Sequence, residues 1–392
     1  MTVVRLVADD LTGALDAAVQ FALDVPGFPV LLAPDAGAGD IEPDASAAIS
    51  TGSRELEPAA AASLPPTAPF LADADIAFLK VDSLLRGNWP VELARVLAAL
   101  PGRTCIFAPA FPAQRRCTER GRQIAPGPDG QMHVLPVIPH AALGAVGLRA
   151  ILVPAGTLPH ADPGSVLICD AVCDADLNAL VVAAARAIDG RVLWCGSAGL
   201  ARALSGCPPP AITLDASPPL VIVGSDHAVA RGQIAALPSQ AAIVVAPGSD
   251  ATGAIARIDR TIGRVPCIIS FHHLGGLSRP AASGTIQRRL AAILPHLRLP
   301  VRLVVIGGET LSLVCQVVGA EALLLEGEWL PGVPRSRIAG GIWHGVSLLS
   351  RSGAFGEADF FRRLFGASVR HQASDAAATQ TCLSTGCSKF YH

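Results

Sequence analysis

Residues 3–22 read VVRLVADDLTGALDAAVQFA, and residues 301–320 read VRLVVIGGETLSLVCQVVGA. Each is an apolar run, a polar or glycine-rich turn, and then a segment with apolar residues at helical spacing. Short β-branched runs alternating with helices imply parallel strands joined by crossovers. The same unit recurs at 76–100 (IAFLKVDSLLRGNWPVELARVLAAL), 191–204 (RVLWCGSAGLARAL) and 220–237 (LVIVGSDHAVARGQIAAL). TCIFAPAF (104–111), SVLICDA (165–171), AAIVVAPG (241–248) and VPCIISF (265–271) add strands without tight glycine turns. The expected fold is α/β throughout, with no 20–50-residue period of the kind that marks a solenoid.

The stretch CPPPAITLDASPP (207–219) interrupts this pattern. Its prolines cannot continue a helix or a central strand. We therefore expect two domains at 1–206 and 220–368, each a mainly parallel sheet flanked by helices, with a linker at 207–219. After FFRRLF the periodicity is lost, and 369–392 is expected to be a flexible tail.

Composition bounds the function. Of 392 residues, 51% are hydrophobic and 16% charged, which rules out a disordered chain. A chain this long buries roughly three quarters of its unfolded surface and needs no disulfide or structural metal. A net charge of −2 gives no field for nucleic acid or an anionic membrane, so small molecules are the expected partners. The ten cysteines are scattered without a CxxC and read as reduced core thiols. MTVVRLVADD lacks the features of a signal peptide, and no apolar run reaches the ~18–20 residues that span a bilayer. A soluble cytoplasmic protein is expected. Of the 30 basic residues only Lys80 and Lys389 are lysines, which singles out Lys80 inside an apolar strand pattern.

In open parallel sheets, ligands bind outside the carboxyl ends of the strands. Asp9 and Asp10 stand at such an end, with Thr12 and Gly13 opening the next helix. A helix cap explains one of these residues, whereas ADDLTGALD supplies four polar side chains. LKVDSLLRGN (79–88) brings Lys80, Asp82, Ser83 and Arg86 to a second strand end. A buried ion pair with Asn88 as a cap is the bland alternative. Arginine recognises a carboxylate through a bidentate fork, lysine suits phosphate as a point charge, and an aspartate can take a proton from a hydroxyl.

In the second half the turns become neutral and glycine-rich: Gly224-Ser225, Gly307-Gly308-Glu309-Thr310 and Ser352-Gly353-Ala354-Phe355-Gly356. Glycine lets backbone N–H groups approach phosphate, and a following helix adds its positive end. Several chemistries are excluded by missing motifs: a P-loop, a GxGxxG dinucleotide site, the HRD and DFG of protein kinases, and a GxSxG elbow. Asp9 and Asp10 are adjacent, so on a strand they are expected to point apart, unlike a DxD phosphatase pair. His272 and His273 read as loop histidines rather than zinc ligands. Magnesium would need only one or two carboxylates plus substrate phosphates.

Taken in order, ADDLTGALD, LKVDSLLRGN, APAFPAQRR, LWCGSAGLA, IVGS, IGGET, PGVP and RSGAFG resemble the four-carbon acid sugar kinases, over residues 3 to about 365. The resemblance implies an N-terminal substrate-binding domain, a C-terminal nucleotide-binding domain and an active site in the cleft between them. It implies ATP-dependent, magnesium-dependent phosphorylation of the terminal hydroxyl of a threonate, erythronate or oxo-tetronate. Asp10, Asp82 and Lys80 would be catalytic, with substrate contacts at Asp9, Thr12, Ser83, Arg86 and Arg116. ATP would meet Ser225, Gly307, Gly308, Glu309, Thr310, Gly353 and Gly356; no metal ligand is assigned. Arg86 would hold the acid's carboxylate and Lys80 would sit near the transferred phosphoryl group. The expected partners are a small sugar acid and ATP, with neither nucleic acid nor membrane, and a homodimer as the assembly to test.

Two segments depart from the family pattern. Arg115 stands before Arg116 where members usually have glycine, and RSGAFG carries Arg351 and Ala354 where lysine and glycine are usual. Ala354 is then expected to need a negative φ. A non-catalytic hydroxy-acid binder, or a magnesium-dependent lyase or aldolase on a related acid, are the alternative functions. If the halves divide the ligands, Gly308→Val should block ATP while leaving acid binding intact.

Overall fold

The computed structural model describes residues 2–32, 41–42, 44–127, 129–188, 191–238, 241–246, 251–271 and 276–366. The tail at 369–392 and both His272 and His273 lie outside these residues.

The apolar runs form strands. The first half contributes β1 (Val4–Ala8), β2 (Phe28–Leu31), β3 (Ala47–Ser50), β4 (Ile76–Lys80), β5 (Thr104–Ala108), β6 (Cys117–Glu119), β7 (Arg122–Pro126), β8 (Met132–Val134), β9 (Ala150–Val153), β10 (Val166–Cys169) and β11 (Val192–Gly196). The second half contributes β12 (Leu220–Val223), β13 (Ile243–Val245), β14 (Cys267–Ser270), β15 (Arg302–Ile306), β16 (Ala322–Leu330), β17 (Val333–Ala339) and β18 (Ser347–Arg351). Two α/β domains with mostly parallel strands and flanking helices result.

Fifteen of the strands join in one sheet, in the order β13-β14-β12-β15-β18-β17-β16-β2-β3-β1-β4-β11-β5-β10-β9, and β6, β7 and β8 form a separate antiparallel sheet. The seam is an antiparallel pairing of β2 with β16, Phe28 opposite Leu325 and Leu31 opposite Ala322. The stretch 207–219 holds no helix or strand, but it is tied down: Ala211 bridges to Glu328 in parallel, and Glu328 N–H donates to the Pro210 carbonyl at 2.9 Å.

Strand alternation sends Leu6 and Ala8 to one apolar cluster and Val7, Ala77 and Leu79 to another on the opposite face. Helix Leu11–Ala18 is buried at every residue because it lies between the sheet and two other helices, Ala198–Ser205 and Gly308–Val318. Its short, alanine-rich sequence permits that close packing. The cluster beneath it contains both Leu11 and Leu311, so the core passes from one half into the other.

Topology then fixes where ligands can bind. In the first half the chain leaves β1 toward β2 and β3 on one side and continues to β4 on the other. In the second half it leaves β12 toward β13 and β14, then crosses to β15. Both places are switch points, where neighbouring loops diverge and open a crevice at the carboxyl ends. β15 and β1 run in opposite senses in the ladder, because three antiparallel pairings separate them. Six inter-strand steps at about 20–25° each add roughly 120–150° of twist, which nearly cancels that reversal. The loops that follow β1 and β15 meet, since a Cβ on Gly308 would stand within contact of Asp10 and Thr12.

Candidate functional site

At the end of β1, Asp9 is fully buried and takes a fork from Arg54: Nε to Oδ2 at 2.9 Å and Nη2 to Oδ1 at 2.6 Å. Asp10 leaves the strand to cap helix Leu11–Ala18, so its carboxylate turns back toward the same guanidinium. Its Oδ1 accepts Gly13 N–H at 2.9 Å and lies 2.6 Å from Arg54 Nη2, while Oδ2 accepts the Thr12 hydroxyl at 2.6 Å. The expectation that the two aspartates diverge is thus corrected, since one guanidinium gathers both. Burial pushes the Asp9 carboxyl upward against the opposing pull of Arg54, and the two aspartates hold Arg54 firmly cationic.

At the end of β4, the Lys80 ammonium is buried and donates to the Val81 carbonyl at 2.8 Å. Asp82 receives Arg86 on both oxygens, through Nε and, at 3.2 Å, through Nη2. Burial alone would raise the Asp82 carboxyl, but Arg54, Arg86 and Lys80 outweigh it and hold it well below the usual carboxylate range. Leu85 in this turn has φ 57, and Gly87 has φ 85 with Arg54 packed where a Cβ would stand. The ion pair of the bland reading is present between Asp82 and Arg86, but Asn88, though at the N-cap position of its helix, makes no capping bond with its side chain. Its amide donates instead to the Ser53 and Leu56 carbonyls at 3.0 and 2.9 Å, which fastens the Arg54 turn to the Arg86 turn.

Arg116 is buried and donates to Ser83 Oγ. Its guanidinium lies 5.0 Å from the Phe355 ring centroid, a contact between the halves, and burial lowers it to about 10. Arg115 has φ 55, a left-handed conformation that explains why glycine suits this position.

The second half presents its turns at the facing edge. A Cβ on Gly353 would overlap Ser225 Oγ, one on Gly224 would overlap Thr310 Oγ1, and Gly307 has φ 110. These glycines let the three turns pack closely, backbone against the side chains of Ser225 and Thr310. Ala354 is absent from the positive-φ residues, as its side chain requires. Arg351 is buried and held by its own loop: it donates to the Ser352 carbonyl at 3.1 Å, to the Phe355 carbonyl and to Gln233 Oε1, with its guanidinium 4.1 Å from the Phe360 centroid. Glu309 turns outward to Arg279 at 3.3 Å.

The two sets meet at Gly308, where a Cβ would lie 2.7 Å from Asp10 Oδ2 and 2.8 Å from Thr12 Oγ1. A cleft beside this contact is lined by Asp10, Thr12, Asp16, Arg54, Lys80, Asp82, Ser83 and Arg86 from the first half. Gly332, Pro334, Ser350, Arg351, Ser352 and Phe355 line it from the second. Asp9 lies beneath it and Arg116 reaches it through Ser83. Ser225, Gly307, Glu309, Thr310, Gly353 and Gly356 flank it without lining it. Sequence reading missed Arg54 and Asp16. The signal for Arg54 was TGSRE after the short run AAIS, a strand too alanine-rich to stand out. Among the described residues, no three His, Cys, Asp or Glu side chains converge to hold a metal ion.

The model of the sugar-binding N-terminal domain family matches residues 4–140, and that of the nucleotide-binding C-terminal domain family matches residues 220–361. The chain is 31% identical to the D-threonate kinase of Cupriavidus necator over 84% of its own length and 89% of the relative's. It is also 31% identical to the D-threonate kinase of Bordetella bronchiseptica, over 92% and 96%. Solved structures with the same fold include a Salmonella typhimurium LT2 protein, with 19% identity, TM-score 0.70 and 93% and 99% of the two chains covered. A Haemophilus influenzae protein has 18% identity, TM-score 0.62 and coverage of 93% and 100%.

Proposed function

Because the chain belongs to the two-domain family of sugar- and nucleotide-binding kinases that includes the D-threonate kinases, we propose that it transfers the γ-phosphoryl group of ATP to the terminal hydroxyl of a four-carbon sugar acid of the threonate type. The observation that carries this reading is the apposition of Gly308 with Asp10 and Thr12. It sets the positive end of helix Gly308–Val318 and its flanking glycine turns against the charged strand ends of the sugar-binding half. Phosphoryl transfer asks a protein mainly to position two anions and neutralise their charge.

The residues divide that work. The acid enters the cleft on the side of β1 and β4, where the exposed part of the Arg86 fork meets its carboxylate. Arg54 offsets part of the charge of Asp9 and Asp10, which would otherwise repel the triphosphate. Lys80 spends one hydrogen bond on a backbone carbonyl and keeps its charge for the transferred phosphoryl group. The Ser225, Gly307–Thr310 and Gly353 turns receive ATP through backbone N–H groups. Magnesium would arrive with the ATP phosphates rather than in a protein cage. Closure of the halves over the cleft would exclude water that competes for ATP.

The test is ADP release, coupled to an optical readout, across threonates, erythronates and their oxo forms. ATP turnover that depends on at least one of these acids is expected. A folded protein that turns over with none of them is not a kinase of this class.

A further inference from the structure

Helix Leu11–Ala18 carries one carboxylate, Asp16, with no share in the work divided above. Asp16 lies on the cleft wall, is nine-tenths buried, and its Oδ1 is sealed from solvent with no hydrogen-bond partner. A buried acceptor left unpaired costs stability, and on the wall of a cleft a catalytic role is one of the uses that offset that cost.

The other carboxylates of the site are occupied. Asp9 gives both oxygens to Arg54 and is closed off from the cleft. Asp10 accepts Gly13 N–H, the Thr12 hydroxyl and Arg54. Asp82 gives both oxygens to Arg86 and is held far below the usual carboxylate range, which makes it a weak proton acceptor.

We propose that Asp16, rather than Asp10 or Asp82, is the catalytic base that accepts the proton of the attacking hydroxyl. This rests on the kinase reading above. In the step, the hydroxyl O–H bond breaks and its proton passes to the Asp16 carboxylate. The oxygen forms a bond to the γ-phosphorus of ATP, and the bond from that phosphorus to the β,γ-bridging oxygen breaks, releasing ADP.

The surroundings suit the task. Lys80 from β4 and Arg116 from the turn before β6 favour the ionised form, Asp10 at the helix start opposes it, and Glu328 on β16 is the other titrating neighbour. Burial is the largest influence and raises Asp16 to about 6, near the operating pH of a general base. The carboxylate must be ionised to act, so turnover should fall as pH drops through about 6.

Asp16→Asn keeps size and shape while removing the base. It should lower kcat on the order of 10²–10⁴-fold, with the KM for acid and ATP changed less than threefold, and it should abolish the acidic limb of the pH–rate profile. A folded Asp16→Asn protein with parental kcat and an unchanged limb overturns the assignment. If Asp16→Asn does not fold, the limb is followed in Asp10→Asn and Asp82→Asn instead. Persistence of the limb in both, at reduced rate, supports Asp16, and its loss in either transfers the role there. An unmodified protein without acid-dependent turnover defeats the kinase reading itself, and the inference with it.

Discussion

Arg54 holds the site together at the scale of single residues. It is nearly buried, fully buried Asp9 depends on it for charge, and Asp10 shares it. Removing one member of a buried pair leaves an uncompensated charge, at a cost of about 3–5 kcal/mol. Arg54→Ala should therefore lower the urea unfolding free energy by roughly that amount, and adding Asp9→Asn should restore part of it. Equal loss in the single and double variants would show that the charge is not what matters. Arg54 was illegible in the sequence because its partners are 45 and 44 positions earlier and nothing local marks a three-residue turn as an ion-pair donor. Asp9, Asp10, Lys80, Asp82 and Arg86 were legible because they crowd onto strand ends, where polar density is conspicuous.

Among elements, the βα units read correctly because their apolar runs and helical spacing are local properties. The missed elements include weak signals, since β3 is alanine-rich and β6 and β8 are only three residues long, but also the long antiparallel pair β16 and β17, which a pattern of βα units does not lead one to expect. The close packing of the second-half turns yields a prediction. Gly353→Ala overlaps Ser225 Oγ, so calorimetry should find ATP binding weakened and acid binding near parental. Acid binding lost with ATP binding kept would reverse the assignment of the halves. Gly308→Val is not the clean probe its sequence position suggests. Its side chain would press on Asp10 and Thr12, so both ligands should suffer.

Helix Trp89–Ala99 makes a separate, pH-dependent prediction. Its Glu92 accepts the Ser53 hydroxyl, and burial raises it to about 7 from a reference near 4.3. Between these values the folded state binds more protons than the unfolded state, so this group's contribution to stability declines as pH rises through that window. Glu92→Gln should remove the decline, gaining thermal stability relative to the parent at pH 8 but not at pH 4. The same difference at both values would contradict the assignment.

For the whole molecule, the sequence pointed to two α/β halves and a break, but not to one sheet running through both. The seam lies between Phe28–Leu31 and Ala322–Leu325, about 290 positions apart, and neither segment names its partner. Across that seam the loops after β1 and β15 come into contact at Gly308 and Asp10. Asp10 meets Gly308 only in the folded chain, which is why sequence reading could expect a cleft between the halves but not name the residues that meet there. On the proposed function, phosphate passes across this junction to a sugar acid. The most direct measurement is ³¹P NMR of the protein with ATP, magnesium and D-threonate, with erythronate and oxo-tetronate samples in parallel. A new phosphomonoester resonance, split by two methylene protons and growing in step with ADP, is expected for at least one acid. Inorganic phosphate in step with ADP, or no loss of ATP with any of the acids, would contradict it.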